Sequence, residues 1–419
     1  MREAPNLQRL DRRPVPSGTN EIRAFMSIRN EIRRLPFTLA HHRDLGVHRF
    51  LVIDNGSSDG TIDYLLAQPD VHVFTTTASY QQARNGIDWI EMLLHFYGVD
   101  RWCLVLDADE HLVYPACESV GLPAFCLALE ERGLNCLATL FLDLYADRPI
   151  AETNFAPEQS PLESCRFFDP AGYYRFPSSA SQVPRIYGGP RARLFWPEID
   201  LAEYSDRIQS YVERALDEDA YLTQHPDVAA EVRAGRIASG LQHFLQFGRL
   251  ERRAVSLRRV ADWPEDLYRT LHPDVGQSVT EGTFSSGLEH YVRYGQSEGR
   301  LFWNTGPPCV SQVPLLRWAS DMRLGVGRHQ LIGGTWRCND AVGGAMLHFK
   351  LAADLVARAD ATVDDPASTP ESTWALENQR YREALRTNPT LSAMTPASAS
   401  YRDAQQLVEL DIITPLSEV

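Results

Sequence analysis

The chain has 419 residues, 44% hydrophobic and 23% charged, a balance that fits a globular protein of two or three domains and excludes a disordered or collagen-like one. With 41 basic against 55 acidic residues, the net charge of −14 lacks the electrostatic footprint of a general nucleic-acid binder. The longest apolar stretch, around residues 134–142, falls far short of the roughly 20 residues of a membrane span. The polar start Met1-Arg2-Glu3 has no apolar core behind it, so no signal peptide is expected. Lys350 is the only lysine, and Phe349 precedes it where a Walker motif requires glycine. Seven cysteines with no CxxC pair fit a reducing cytoplasm, where they serve as small buried hydrophobes.

The N-terminal third alternates strand and helix patterns, the mark of a largely parallel α/β sheet. Residues 22–28 read as a strand, 31–45 as a helix, 49–54 (RFLVID) as a buried strand and 60–67 as a helix. A strand at 71–75 and a long amphipathic helix over 80–97 follow. The apolar run 102–106 (WCLVL) then delivers Asp107-Ala108-Asp109-Glu110 at its C-terminal end, the edge where open α/β sheets bind ligands. Residues 134–145 form a further strand, and 146–190, rich in Pro, Ser and aromatics, read as loops over a site.

The next stretch is duplicated. Tyr221, His225-Pro226-Asp227-Val228, Gly235, Ser239-Gly240-Leu241, His243, Gly248, Glu251 and Arg253 recur 47 positions later, from Tyr268 to Arg300. Each copy is expected to be a small helical module, with Pro-Asp opening a helix and glycines closing turns. Its four histidines (His225, His243, His272, His290) invite a zinc reading, but with no cysteine between 166 and 308 a structural role is favoured. The module is the natural place for an oligomer contact or a partner. After residue 303 the α/β character returns, with 312–318 and the apolar run 345–356, and 360–373 reads as a linker. The expected domains are 20–200 with 305–358, the repeat module at 205–303, and a linker with a C-terminal extension over 359–419.

Two segments carry chemistry. Asp107 and Asp109, alternate carboxylates after a buried strand, can share a hard divalent cation that in turn holds a diphosphate, or they can simply cap a turn. Asp54-Asn55-Gly56-Ser57-Ser58-Asp59-Gly60-Thr61 places an acid at a strand end, where it can accept hydrogen bonds from a ribose or base, and caps with Ser58 or Asp59. The same corner holds a GxSxG string around Ser58 that would suit a hydrolase, but too few strands precede it and no HGGG-type sequence accompanies it.

Together with Ser27-Ile28-Arg29-Asn30-Glu31, these segments resemble the family 2 glycosyltransferases, in the branch that opens on RNE. Gln81, Gln82, Arg84 and Asn85, then Val313–Trp318, Arg328-His329 and Ala345 to Lys350, look like further blocks of that branch. The resemblance covers about 20–196 and 305–419 and is interrupted by the repeats. It implies a GT-A fold, α/β and Rossmann-like with a mostly parallel sheet, carrying an inserted all-α repeat module. It implies a nucleotide-diphosphate sugar donor, UDP-sugar first, held by Arg29, Asn30, Glu31, Asp54, Gln81, Arg84 and Asp107. Mn²⁺ or Mg²⁺ would sit on Asp107, Asp109 and His348. Arg191, Arg193 and Arg328 are candidates for bidentate phosphate contacts. Asp143, Asp147 and Glu158 are the candidate bases for an inverting transfer. A glycan or lipid-linked acceptor in cell-surface polysaccharide synthesis follows from family habit, with a cytoplasmic location at or near the inner membrane face. The Arg- and aromatic-rich stretch 185–196 is the expected point of lipid contact. The remaining alternative is an inactive fold that presents the repeats.

Overall fold

The computed structural model describes residues 7–18, 20–156, 158–176, 183–302, 306–325, 328, 331–338, 342–365 and 372–415. His329 and part of the expected 360–373 linker lie outside them. The chain divides into two compact units: residues 1–173, 182–197 and 307–419 form the first, and 174–181 with 198–306 the second. Among the described residues no helix is long and apolar enough to cross a membrane.

The first unit is α/β. Its sheet contains β1 (Gln8–Arg9), β2 (Arg23–Ile28), β3 (Arg49–Asp54), β4 (Val71–Thr75), β5 (Trp102–Val105), β6 (Glu110–Val113), β7 (Cys136–Asp143), β8 (Ser311–Arg317) and β9 (Gly344–His348). The spatial order is β1-β4-β3-β2-β5-β8-β7-β9-β6. Pairs β2–β3, β3–β4, β2–β5 and β7–β9 are parallel, and β8 runs antiparallel to both β5 and β7. Six strands therefore point one way, and only β1, β6 and β8 oppose them. Successive side chains of a strand face opposite sides. Accordingly Ala24, Met26, Phe50 and Val52 enter one apolar layer, while Phe25, Leu51 and Ile53 enter the other. A sheet buried on both faces needs such runs, which explains RFLVID.

Helices α1 (Leu35–Leu45), α2 (Thr61–Ala67) and α3 (Ile87–Tyr97) make the crossovers. Helix α1 starts on a proline and stops at Gly46, whose φ of 103° closes a left-handed cap in which Val47 N–H reaches the His42 carbonyl. Helix α3 begins seven residues later than its apolar pattern predicts. Arg84, Asn85 and Gly86 all have positive φ (50°, 55° and 79°), a left-handed run that no helix continues through. Strand β6 was not expected, and it forms the far edge of the sheet against β9.

The C-terminal residues do not form an appendix. Helices α4 (Gly189–Phe195), α5 (Leu355–Val363) and α6 (Thr373–Thr387) belong to the first unit, Ala399–Ser400 pairs with Phe167–Phe168, and Thr414 N–H donates to the Val342 carbonyl. The expected lipid-contact stretch is buried: Tyr187, Phe195 and Trp196 all lie in the interior, and Arg380 sits over the Trp196 ring. That correction removes its apolar surface from any bilayer. Cys103, Cys126, Cys136 and Cys165 are buried as expected of small hydrophobes.

The second unit is helical and contains the duplicated module. Tyr221 and Tyr268 are wholly buried, and their hydroxyls meet His243 Nδ1 (3.0 Å) and His290 Nδ1 (3.1 Å). His225 and His272 donate from Nε2 to the Ala254 and Leu301 carbonyls at 2.9 and 3.0 Å. Each histidine has a structural partner, and among the described residues the one cluster suited to a metal lies elsewhere. Gly248 and Gly295 recur because a Cβ there would strike the tyrosine hydroxyl. Gly248→Ala is expected to cost about 1–3 kcal/mol. A thermal melt unchanged from wild type would show that the tyrosine can move away.

Candidate functional site

The parallel strands β4-β3-β2-β5 repeat the 3-2-1-4 order of a nucleotide-binding half, so the order reverses beside β2 and β5. Outside the C-terminal ends of these strands lies a cleft of about 520 Å³. It is lined by Ser27 to Glu31, Asn55, Tyr80 and Gln81 from the N-terminal turns, by Asp107, Ala108, Asp109 and His348 from the strand ends, and by Lys350, Asp354, Arg358, Trp374 and Asn378 from the C-terminal segment.

The turns that follow β2 and β3 hold each other. Asn30, at φ 57°, accepts from Ser58 N–H at 2.8 Å and donates its own N–H to Ser57 Oγ at 2.8 Å. Asp54 is fully buried, and its Oδ2 accepts from the Gly56 and Ser57 amides at 3.0 and 2.9 Å. Its Oδ1 is buried with no hydrogen-bond partner, an unused acceptor at the strand end. Glu31 sits on the wall, where burial pushes its carboxyl up to about 7 against the pull of Arg34. Gln81 reaches across to the Thr362 carbonyl at 3.3 Å. Ser58 is exposed, and its N–H is donated to Asn30 Oδ1.

In the middle, sheet register does the work. His348 stands opposite Asp143 across β7–β9 and opposite Glu110 across β9–β6, so three chemistry-bearing residues form one row. Asp109, Glu110 and His348 each aim a donor atom to within 4.8 Å of the others. All three are buried. Asp107 departs from this group: it is 41% exposed and its Oδ2 accepts from Arg328 at 2.9 Å. Arg328 also holds Glu110, at 2.8 Å, and Arg358 holds Asp109, at 3.0 Å. Burial works against ionisation of Asp109, but His348, Arg358 and Arg34 outweigh it and hold the carboxyl well below its usual range. Burial pushes Glu110 up to about 8, with Arg328 opposing. Burial likewise depresses His348, with Asp143 opposing. Two carboxylates and an imidazole are the donor set of a hard or borderline divalent cation, and their convergence fits one.

Several expected residues stand elsewhere. Asp143 is fully buried, bonded to His348 Nδ1 at 2.7 Å and to Arg191 Nε at 2.8 Å, so it cannot meet an acceptor hydroxyl. Asp147 is exposed beside Arg148, and Glu158 is exposed; neither lines the cleft. The base assignment is therefore corrected for all three. Arg191 is spent on Asp143, and Arg193 pairs with Asp169 at 3.0 Å. Arg84 is taken by Asp88, Glu91 and the Leu324 carbonyl. Arg328 is buried against the acids. Four of the five arginines expected at the donor are thus held by carboxylates, as the buried guanidinium groups of Arg191 and Arg328 require, while Arg29 lines the cleft.

The C-terminal lining beyond the 345–350 block was given no site role in the sequence. Lys350 Nζ meets Glu377 at 3.3 Å and lies 5.3 and 5.1 Å from the Trp374 and Tyr381 ring centres. In the sequence it closes the 345–350 block and is the single lysine among 41 basic residues.

No family model matches the sequence, and no curated protein does. Among solved structures, 4-diphosphocytidyl-2C-methyl-D-erythritol synthase aligns with 31% of this chain and 64% of its own, at 20% identity and a TM-score of 0.20. A putative glucose-1-phosphate thymidylyltransferase from Bacillus anthracis, in complex with a sucrose, aligns with 40% of this chain and 64% of its own, at 8% identity and a TM-score of 0.22. The chain thus spans just under two thirds of either neighbour's length.

Proposed function

We propose that this chain is a divalent-cation-dependent glycosyltransferase that moves a sugar from a nucleotide-diphosphate sugar, UDP-sugar first, to a glycan or lipid-linked acceptor. One observation carries the reading: a cleft at the strand-order reversal lined by Asp109 and His348, on which the donor atom of buried Glu110 also converges. The nucleoside would lie against Ser27 to Glu31, Asn55 and Tyr80, the turns that the buried Asp54 braces from behind. Asp109, Glu110 and His348 would hold Mn²⁺ or Mg²⁺, with Asp107 beside them facing the cleft. Bound there, the cation would supply Lewis-acid stabilisation of the leaving diphosphate. Arg358 lines the same wall and adds positive charge next to it.

The acceptor would then lie against the C-terminal segment of the lining, where Trp374 presents a ring and Lys350 a charge. A cytoplasmic location, where nucleotide sugars and lipid-linked acceptors meet, belongs to the same proposal.

Calorimetric titration of UDP and of GDP, with and without Mn²⁺, tests the reading on wild type and Asp109→Ala. Metal-dependent UDP binding in wild type, weakened at least 100-fold in the variant (about 2.7 kcal/mol), is the expected result. Metal-dependent binding of GDP alone would keep the chemistry and change the donor. Binding of neither nucleotide would end the donor-site assignment.

A further inference from the structure

We propose that Arg191 and Asp143 fix the tautomer of His348, keeping its proton on Nδ1 so that the bare Nε2 is presented to Asp109 and Glu110 as the nitrogen donor of the cation site. The inference rests on the metal-dependent reading above and makes Asp143 a positioning residue rather than a base.

The argument starts from the sheet. Parallel pairing of β7 with β9 puts Asp143 directly opposite His348, and antiparallel pairing of β9 with β6 puts Glu110 on the other side. Asp143 Oδ1 lies 2.7 Å from His348 Nδ1, and both residues are buried. An ionised carboxylate only accepts hydrogen bonds, so Nδ1 must be the protonated nitrogen and Nε2 of the neutral ring is left bare. Nε2 points the other way, 3.9 Å from Asp109 Oδ2. Asp143 is kept ionised and in place by Arg191, whose Nε donates to Oδ2 at 2.8 Å. Arg191 is itself buried, with Glu377 3.8 Å from its Nη1. A carboxylate behind a metal-binding imidazole sets both the tautomer and the ring orientation.

The same geometry says what an isosteric change does. In Asp143→Asn, Arg191 still offers only a donor, so the amide oxygen must turn to it. The amide NH₂ then faces His348, whose Nδ1 is forced to accept and whose proton moves to Nε2. The ring stays where it was and loses its free lone pair.

Two measurements test this on the full chain. The first is the ¹⁵N spectrum of histidine-labelled protein, which distinguishes the two neutral tautomers without any metal. Wild type is expected to show His348 protonated at Nδ1, and Asp143→Asn to show it protonated at Nε2. A wild-type ring protonated at Nε2 would overturn the proposal even if the variant failed to fold. The second is binding of Mn²⁺ alone, followed by electron paramagnetic resonance of the free ion. Asp143→Asn should bind 10- to 100-fold more weakly than wild type. His348→Ala should be weakened as much, and the double variant no more than either single one. Wild-type affinity in Asp143→Asn would refute the relay and leave the metal-dependent reading standing. A wild type that binds no Mn²⁺ would instead refute that reading, and with it the cation role of Nε2.

Discussion

Replacing Arg328 by alanine is expected to destabilise the first unit by about 3–5 kcal/mol at pH 9, the cost of leaving a buried acid without its countercharge. Arg328 is itself buried and is the only described cation bonded to both Glu110 (2.8 Å) and Asp107 (2.9 Å). Glu110 has burial against it and Asp107 and Asp109 as like-charged neighbours, and Arg328 opposes all three. Without Arg328 the Glu110 carboxyl must keep a proton to stay buried, so its folded pKa rises further above the unfolded value. A group raised in this way contributes stability at low pH that is lost as pH climbs through its folded pKa. The penalty in Arg328→Ala is therefore expected to be larger at pH 9 than at pH 6. Urea denaturation of both proteins at the two pH values checks it. Equal penalties would mean that Glu110 escapes to solvent. Added Mn²⁺ is expected to stabilise the variant, since a cation at Asp109, Glu110 and His348 would replace the missing charge.

The second large effect concerns the far edge of the sheet. Among the described residues strand β6 has no strand beyond it, and the half-buried His41 and buried His42 of α1 close that edge. His42 Nε2 accepts from Leu112 N–H at 3.2 Å while its Nδ1 donates to the Thr38 carbonyl at 2.8 Å, and His41 Nε2 donates to the Leu112 carbonyl at 2.7 Å. His42→Leu leaves the Leu112 amide buried and unpaired, at a cost of about 1–3 kcal/mol at pH 8. Burial, with His41 beside it, holds the His42 pKa well below its ordinary value near 6.5. Folded His42 thus stays neutral where the unfolded chain takes up a proton, and its contribution falls as pH drops below about 6.5, by roughly 1.4 kcal/mol per pH unit. The stability gap between wild type and His42→Leu should be constant from pH 8 to 7 and should close near pH 5. Comparing the two proteins cancels the opposite slopes of Glu31 and Glu110, whose raised pKa values favour the folded state at low pH. A gap that does not change down to pH 5 would show that His42 is protonated in the fold.

Some of this architecture is written locally. RFLVID and WCLVL are strands because runs so apolar must be buried on both faces, and right-handed βαβ crossovers bring the C-terminal ends of parallel strands to one edge. Asp54 and Asp107 could therefore be placed at the same edge without coordinates. The duplication was equally legible, since its 47-residue register is a property of the string alone, and the buried Tyr221/His243 and Tyr268/His290 pairs show what the repeat preserves.

What the string could not contain is register between distant strands and the neighbours of each charge. Asp143 and His348 are 205 residues apart, and they touch only because β9 inserts between β7 and β6. A one-residue slip would send His348 to the opposite face of the sheet. Asp143 looked like a base and Arg191 like a phosphate ligand because sequence gives a side chain's charge but not its countercharge. The fold spends both on each other. Lys350, Arg358 and Trp374 were missed for a related reason: an acidic Pro/Ser stretch between them reads as linker, and only packing brings α5 and α6 to the wall of the cleft. Local patterning determined the strands, the repeat and the ligand edge; the non-local pairing of strands and charges decided which of the acids and bases at that edge face the cleft.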